Sequence, residues 1–342
     1  MLIAHIITLV VASHMVCYNQ AIIILESGYL IITLEGAHME TESSAGRTLI
    51  ILNPAANRGH IDRIRAMLRT RLPTLDADYV ETTRRGEAGT LAQTAATQGR
   101  PIVIVGGDGT LNEVASGIIA SGQRVPLGIV AAGSGNDFAS NALKLPKDFA
   151  AAIEIALHGT PTAIDAGSVN DRYFVNSLGI GLDADITVVA ERMKRLPLMT
   201  GPVLYYSASL RQLFFGYRNC PWLRITIDDV PLDSESRRYV LAAIMNGPTY
   251  GAGFHITPQA VNTDGYFDIC TIRYTPWLRA IRLLPVVKRG EHADLPEVTF
   301  YRARSVVIEA PQTINVQMDG ETWQAQRFAI RILPKALLVR QG

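Results

Sequence analysis

IVIVGGDGTLNEV, residues 102–114, decides the fold of this chain. Pro101–Val105 is a continuous apolar, β-branched run, the pattern of a strand buried on both faces. It breaks at Gly106-Gly107-Asp108-Gly109-Thr110, and a helix is expected over Leu111–Ala120. A strand that ends in glycines just before a helix suits phosphate. Glycines let backbone N–H groups approach oxygens closely, and a helix N-terminus carries partial positive charge. Asp108 inside the turn would be repelled by phosphate unless it binds Mg²⁺ or handles a proton. Thr110 and Asn112 are placed to cap the helix and hydrogen-bond a phosphate. Taken alone, the segment also fits a tight turn with Thr110 as cap. It contains neither GxxxxGK[ST] nor GxGxxG.

Two further strand ends repeat the arrangement. LGIVAAGSGNDFA (127–139) runs from a buried strand into a glycine loop bearing Ser134, Asn136 and Asp137. ILNPAANRG (51–59) offers Asn53, Asn57 and Arg58 after the strand Thr48–Leu52. Helical spacing over Ile61–Leu72, a strand at Asp78–Glu81 and a helix over Gly89–Gln98 complete an alternation of strands and crossover helices. That alternation predicts a three-layer α/β domain around a parallel sheet, with the three loops facing one crevice at its carboxyl edge.

Near Ala163–Asp165 the texture changes. Short strand candidates follow at Ala163–Val169, Arg172–Ser177, Trp222–Ile227, Tyr239–Asn246, Phe267–Tyr274, Ser305–Ala310 and Ile314–Asp319. Turn residues punctuate them, which predicts an antiparallel β-sandwich. Helices interrupt it at Val203–Phe215 and Trp277–Lys288. The expected organisation is an extension over 1–46, an α/β domain over 47–163, a sandwich over 164–334 and a tail over 335–342.

The chain has 342 residues, 48% hydrophobic and 18% charged, with net charge +1. This composition excludes a disordered chain and argues against a dedicated nucleic-acid binder. Three scattered cysteines without CxxC fit a reducing compartment better than a disulfide framework. His255 and His292 lack metal-ligand spacing. Residues 1–46 hold four glutamates and no Lys or Arg, which leaves +5 on the remainder, a balance that suits anionic ligands. That first stretch lacks the basic n-region of a secretory signal and has no 18-residue apolar run. Ala21–Glu26 and Tyr29–Glu35 around Ser27-Gly28 read as a hairpin. The patterned fold begins only after Met39, which makes Met39 an alternative start.

The order of GGDGT, then GSGNDFA, after NPxxxxG resembles the diacylglycerol kinase catalytic-domain superfamily, which includes bacterial soluble lipid kinases and sphingosine kinases. FVNSLGIGLDADI (174–186), GAGFHITPQAVNTDGYFDI (251–269) and VQMDGE (316–321) continue it, so the resemblance spans nearly everything from Thr48 to Arg340. It implies an ATP-dependent lipid kinase, with diacylglycerol the leading acceptor. Gly106, Gly107, Asp108, Gly109, Thr110, Leu111 and Asn112 would hold ATP phosphates, and Thr82 and Ser134 would contact the nucleotide. Asn53 and Arg58 of the first loop would also contact the nucleotide; relatives often follow Asn-Pro with a glycine and a lysine, where this chain has Asn57 and Arg58. The DG stretch implies a Mg²⁺ site at Asp264 with backbone help from Val261 and Tyr266. Glu321 matches the proton acceptor, with Asp319 beside it and Asp108 a rival base. Asp264-Gly265 and Asp319-Gly320 also read as plain hairpin turns.

Implied partners are ATP and a membrane lipid, in a cytoplasmic enzyme that touches the membrane peripherally and binds no nucleic acid; a homodimer is left open. Tyr205, Tyr206, Leu210, Leu213, Phe214 and Phe215, preceded by Arg192, Lys194 and Arg195, fit either a core helix or a lipid-facing surface. The rival functions are a kinase for another lipid alcohol, an NAD kinase-like enzyme with a soluble substrate, and a non-catalytic nucleotide or lipid sensor.

Overall fold

The computed structural model describes residues 22–26, 29–33, 46–56, 61–193, 201–251 and 253–342. Arg58, Lys194 and Arg195 therefore lie outside the described residues. The chain divides into two compact units, Met1–Ser44 and Ala45–Gly342. In the first, β1 (Ile22–Glu26) pairs antiparallel with β2 (Tyr29–Thr33), the strand pairing that the sequence predicts.

The second unit opens with β3 (Thr48–Leu52), α1 (Asp62–Arg71), β4 (Ala77–Glu81), α2 (Glu87–Thr97), β5 (Ile102–Gly106), α3 (Asp108–Ser121), β6 (Pro126–Ala131) and α4 (Phe149–His158). The strands are parallel in the order β6-β5-β3-β4. Alternation along each strand sorts its side chains onto two faces. Leu49, Ile51, Ile102 and Ile104 pack against α2 and α3, while Ile50, Leu52, Val103 and Val105 pack against α1 and α4. The result is three layers. Chain order reverses between β3 and β5, so the loops after these strands open a crevice at the sheet's carboxyl edge.

One boundary differs from the sequence reading. Helix α3 starts at Asp108, with Gly107 as its extended N-cap, three residues earlier than expected. Thr110 and Asn112 therefore lie within the helix and do not cap it.

The remaining elements are β7 (Thr160–Val169), β8 (Arg172–Phe174), β9 (Ser177–Gly181), α5 (Leu182–Met193), α6 (Gly201–Phe215), β10 (Trp222–Ile227), β11 (Val230–Pro231), β12 (Arg237–Met245), β13 (Phe267–Arg273), α7 (Trp277–Arg289), β14 (Val298–Ala303), β15 (Ser305–Met318) and β16 (Glu321–Gln341). Strands β9, β10, β12, β13, β14 and β15 are joined by antiparallel ladders. They share an apolar core with Phe174, Phe267 and Phe328, and the Phe174 and Phe267 rings stack at 5.5 Å. The opposite face of β12 and β13 packs against α5, α6 and α7 through Leu182, Leu213, Leu241, Ile272 and Val287. Strand β16 pairs antiparallel with β15 and β7, and its end pairs parallel with β6 at Leu338↔Pro126 and Val339↔Leu127.

The sequence suggests one strand over Arg172–Ser177, but the structure has two, β8 and β9. The N–H groups of Val175 and Asn176 donate to the Asp319 carboxylate instead of extending a ladder. Conversely, Ser305–Ala310 and Ile314–Asp319 belong to one strand, β15, with a register break between Glu309 and Ile314.

Candidate active site

The glycine loops after β5 and β6 lie against each other. A Cβ on Gly107 would stand 2.9 Å from the Cα of Gly133, so only glycine permits this approach. Asn136, at φ 58°, fixes the second loop by accepting from Gly133 N at 2.9 Å and donating to Gly133 O at 2.8 Å. Its own N–H donates to Asp108 Oδ2 at 2.8 Å, which ties the loops together. Asn53, after β3, donates to Thr110 Oγ1 at 2.8 Å. Gly107, Asp108, Gly109 and Thr110 line one cleft with Asn53, Thr82 and Ser134.

Of the residues assigned to phosphate, Gly106 and Asn112 do not line the cleft, and Leu111 borders it with a side chain that is buried. The Cβ position of Gly106 is filled by the Thr110 side chain, 2.7 Å away. Leu111 buries its side chain in the core and donates its N–H to Gly107 O at 3.0 Å. Asn112 is buried and donates to Asp319 Oδ2 at 2.8 Å and to Tyr173 O at 3.0 Å. Asn112 is thus a tie between the phosphate helix and the Asp319-Gly320 turn.

That turn holds two carboxylates in opposite settings. Asp319, at φ 48°, sits in a tight turn between β15 and β16. It is 7% exposed and accepts from Val175 N at 2.7 Å, Ser177 N at 2.8 Å, Asn176 N at 3.1 Å and Asn112. Burial pushes its pKa up, and those hydrogen bonds oppose the shift. With its oxygens saturated, Asp319 organises the turn. Asp319 and Glu321 both line the cleft, and Glu321 Oε1 pairs with Arg85 Nη2 at 2.5 Å.

Asp108 has a third environment. Burial raises its pKa to about 6, and the nearby Asp137 and Asp319 charges push the same way against the Asn136 hydrogen bond. A carboxyl raised into this range at the start of a cleft-lining helix is suited to hold a cation or a proton.

Asp264 lies outside the cleft. Its Oδ1 accepts from Tyr266 N at 3.0 Å, while Arg302 pairs with its other oxygen. Val261 is exposed. The guanidinium occupies the place a cation would take, so this set does not fit a metal as it stands and enters no chemical step. Among the described residues, no group of three or more His, Cys, Asp and Glu side chains is placed to hold a metal ion. A cation arriving with ATP would rest on phosphate oxygens and one carboxylate, for which Asp108 is suitably placed.

Several cleft residues have no role in the sequence reading. Arg84, Arg85 and Lys147 bring positive charge to the cleft. The basic doublet in TTRRG, next to Gly86, is the visible signal for two of them. Beyond the carboxylates, the same cavity of about 1690 Å³ continues past Asp183 and Tyr250 into an apolar chamber. Tyr250 donates to Asp183 Oδ2 at 2.8 Å, and burial raises the Asp183 pKa to about 6. Leu213, Leu241, Ile256, Ile272, Leu283 and Val287 line the chamber. These residues span seventy-five positions without a local motif, which hides the chamber from sequence inspection.

The cleft thus joins glycine loops of a kind suited to phosphate with an apolar chamber. Residues 47–169 match the diacylglycerol kinase catalytic domain, and residues 176–341 match the YegS C-terminal NAD kinase beta sandwich-like domain. A diacylglycerol kinase of Staphylococcus saprophyticus is 30% identical over 280 residues, covering 80% of this chain and 88% of its own. The Staphylococcus epidermidis enzyme of the same name is 30% identical, covering 80% and 85%. A crystal structure of a diacylglycerol kinase from Bacillus anthracis superposes with a TM-score of 0.64 at 20% identity, covering 88% of this chain and 98% of that one. A second structure from that organism gives 0.69 at 23% identity, covering 88% and 99%. The chain belongs to the diacylglycerol kinase family and is a lipid kinase.

Proposed function

We propose that the protein transfers the γ-phosphate of ATP to the free hydroxyl of diacylglycerol, giving phosphatidic acid. The observation that carries this reading is the continuity of the cleft, with phosphate-binding loops at one end and an apolar chamber at the other. Its volume exceeds the roughly 300–1,000 Å³ of a single small-molecule pocket, which leaves room for nucleotide and lipid together.

In this reading, the N–H groups at the start of α3 and the glycine loops hold the triphosphate. Thr82, Ser134 and Asn53 line the nucleotide's bed. Asp108 would hold the Mg²⁺ that accompanies ATP, and that ion would supply charge neutralisation at the phosphates. Glu321 accepts the proton of the lipid hydroxyl as the oxygen attacks phosphorus. The nucleotide is held by 47–163 and the acceptor by 164–334, with 335–342 returning to the first sheet.

The membrane side follows from helices α6 and α7. Their inner residues Leu213, Leu283 and Val287 line the chamber. Outward, Phe215 is 80% exposed, and Phe214, Leu210, Trp277 and Leu278 are exposed with it. The Phe214 and Trp277 rings meet at 5.8 Å. Leu213 thus belongs to the interior and its neighbours to the surface, so one helix serves both readings that the sequence leaves open. The exposed aromatic face would seat in the interface of a membrane from the cytoplasmic side. Among the described residues, no helix is long and apolar enough to cross a membrane.

The test is transfer of labelled γ-phosphate to a panel of lipids in mixed micelles. Label in phosphatidic acid supports the proposal. Label confined to a sphingoid base or another lipid alcohol replaces the acceptor. No lipid label, with ATP binding intact, overturns the reading.

A further inference from the structure

The pair between Arg85 and Glu321 joins residues 236 positions apart across the cleft. Arg85 belongs to the loop between β4 and α2, on the nucleotide side. Glu321 is the first residue of β16, on the acceptor side. The Arg85 side chain is 72% exposed and that of Glu321 29%. An ion pair this exposed is weak, so a stronger anion readily displaces the carboxylate. Both residues line the cleft that the triphosphate would enter. A guanidinium binds phosphate oxygens in the same forked geometry it offers a carboxylate.

We propose that Arg85 is a positioning residue that exchanges Glu321 for the terminal phosphate when ATP binds. In the free protein Arg85 holds the carboxylate. With ATP present the guanidinium turns to the γ-phosphate, and Glu321 is released to take the acceptor's proton. The enzyme's base then becomes free only when there is a phosphate to transfer. This inference rests on the proposed sites for ATP and for the base.

The test uses the full chain without lipid. ATP and ADP affinities are measured for wild type, Arg85→Ala and Arg85→Lys. Loss of Arg85 should weaken ATP about ten- to a hundredfold, in line with one charge-assisted hydrogen bond, and ADP less than twofold. Arg85→Lys should restore part of the ATP affinity. In arginine-labelled protein, the Arg85 guanidinium NMR signals should show hindered rotation, lose it in Glu321→Gln, and shift with ATP but not ADP. Equal weakening of ATP and ADP, or Arg85 signals that ignore ATP, would overturn the exchange. A wild-type protein that binds neither nucleotide would instead overturn the functional reading beneath it.

Discussion

The two ends of the cleft are built in different ways. At the nucleotide end, backbone does the work: glycine loops stack within van der Waals contact, Asn136 holds them, and a helix begins at Asp108. At the acceptor end, apolar side chains from α5, α6, α7, β12 and β13 enclose a chamber. Backbone-built sites tolerate almost no substitution, because a single Cβ collides. Side-chain-built chambers tolerate change in kind but respond to volume. A side chain at Gly107 or Gly133 should therefore abolish activity, and substitutions at the acceptor end should redirect it.

The largest expected effect is at the junction. Glu321→Gln should lower kcat by about 10²–10⁴-fold while leaving the fold intact, as expected for loss of a positioned base. A kinetic comparison at saturating ATP checks this. Activity within fivefold of wild type would move the base to another carboxylate.

Asp319→Ala should act on stability. It strands the N–H groups of Val175, Asn176 and Ser177 and removes the acceptor of Asn112. Leaving such buried donors unpaired should cost about 3–5 kcal/mol, read by denaturant unfolding. A loss of turnover with unchanged stability would instead give Asp319 a chemical role.

Asp108 supplies a pH test. Its folded pKa of about 6 lies above the ordinary 3.8, so the folded protein binds this proton more tightly than the unfolded chain. Stability is therefore lost as pH rises from about 4 to 6, and the whole penalty is present above 6. Asp108→Asn should melt higher than wild type at pH 8, by up to about 3 kcal/mol, and equally at pH 3. For wild type, kcat/KM for ATP should fall as pH drops through about 6, and that limb should vanish in the variant.

At the acceptor end, Ala280→Phe would fill part of the chamber that Ala280 lines. About a tenfold preference for shorter acyl chains is expected, with the KM for ATP unchanged. Smallest is the surface effect. Replacing exposed Phe214 and Phe215 by Ser should weaken binding to anionic vesicles about three- to tenfold, without altering activity on a short-chain, monomeric acceptor. Equal losses on both substrates would place these residues in the fold.

The same division explains what could be read from the sequence. Parallel strands, glycine loops and the placement of Asp108 and Ser134 follow from local patterns, because each loop is contiguous in the chain. The start of α3 falls three residues before the sequence reading because glycine and aspartate are poor helix formers, and the loop's close contact with Gly133 overrides that preference. Asn112 looks like a phosphate ligand until its partner Asp319, 207 residues away, comes into view. The Arg85–Glu321 pair and the chamber are hidden for the same reason: their partners are brought together only by the tertiary fold. Asp264 shows the converse, since its motif is plain in sequence but its carboxylate is paired with Arg302.

The central claim is that acyl chains occupy the chamber while ATP occupies the glycine loops. The most direct test is photo-crosslinking with a diacylglycerol whose acyl end carries a diazirine, in the presence of a non-hydrolysable ATP analogue. The account predicts label on peptides that contain Leu213, Leu241 or Leu283–Val287. Label confined to 47–163, or spread over the exterior without these peptides, would contradict it.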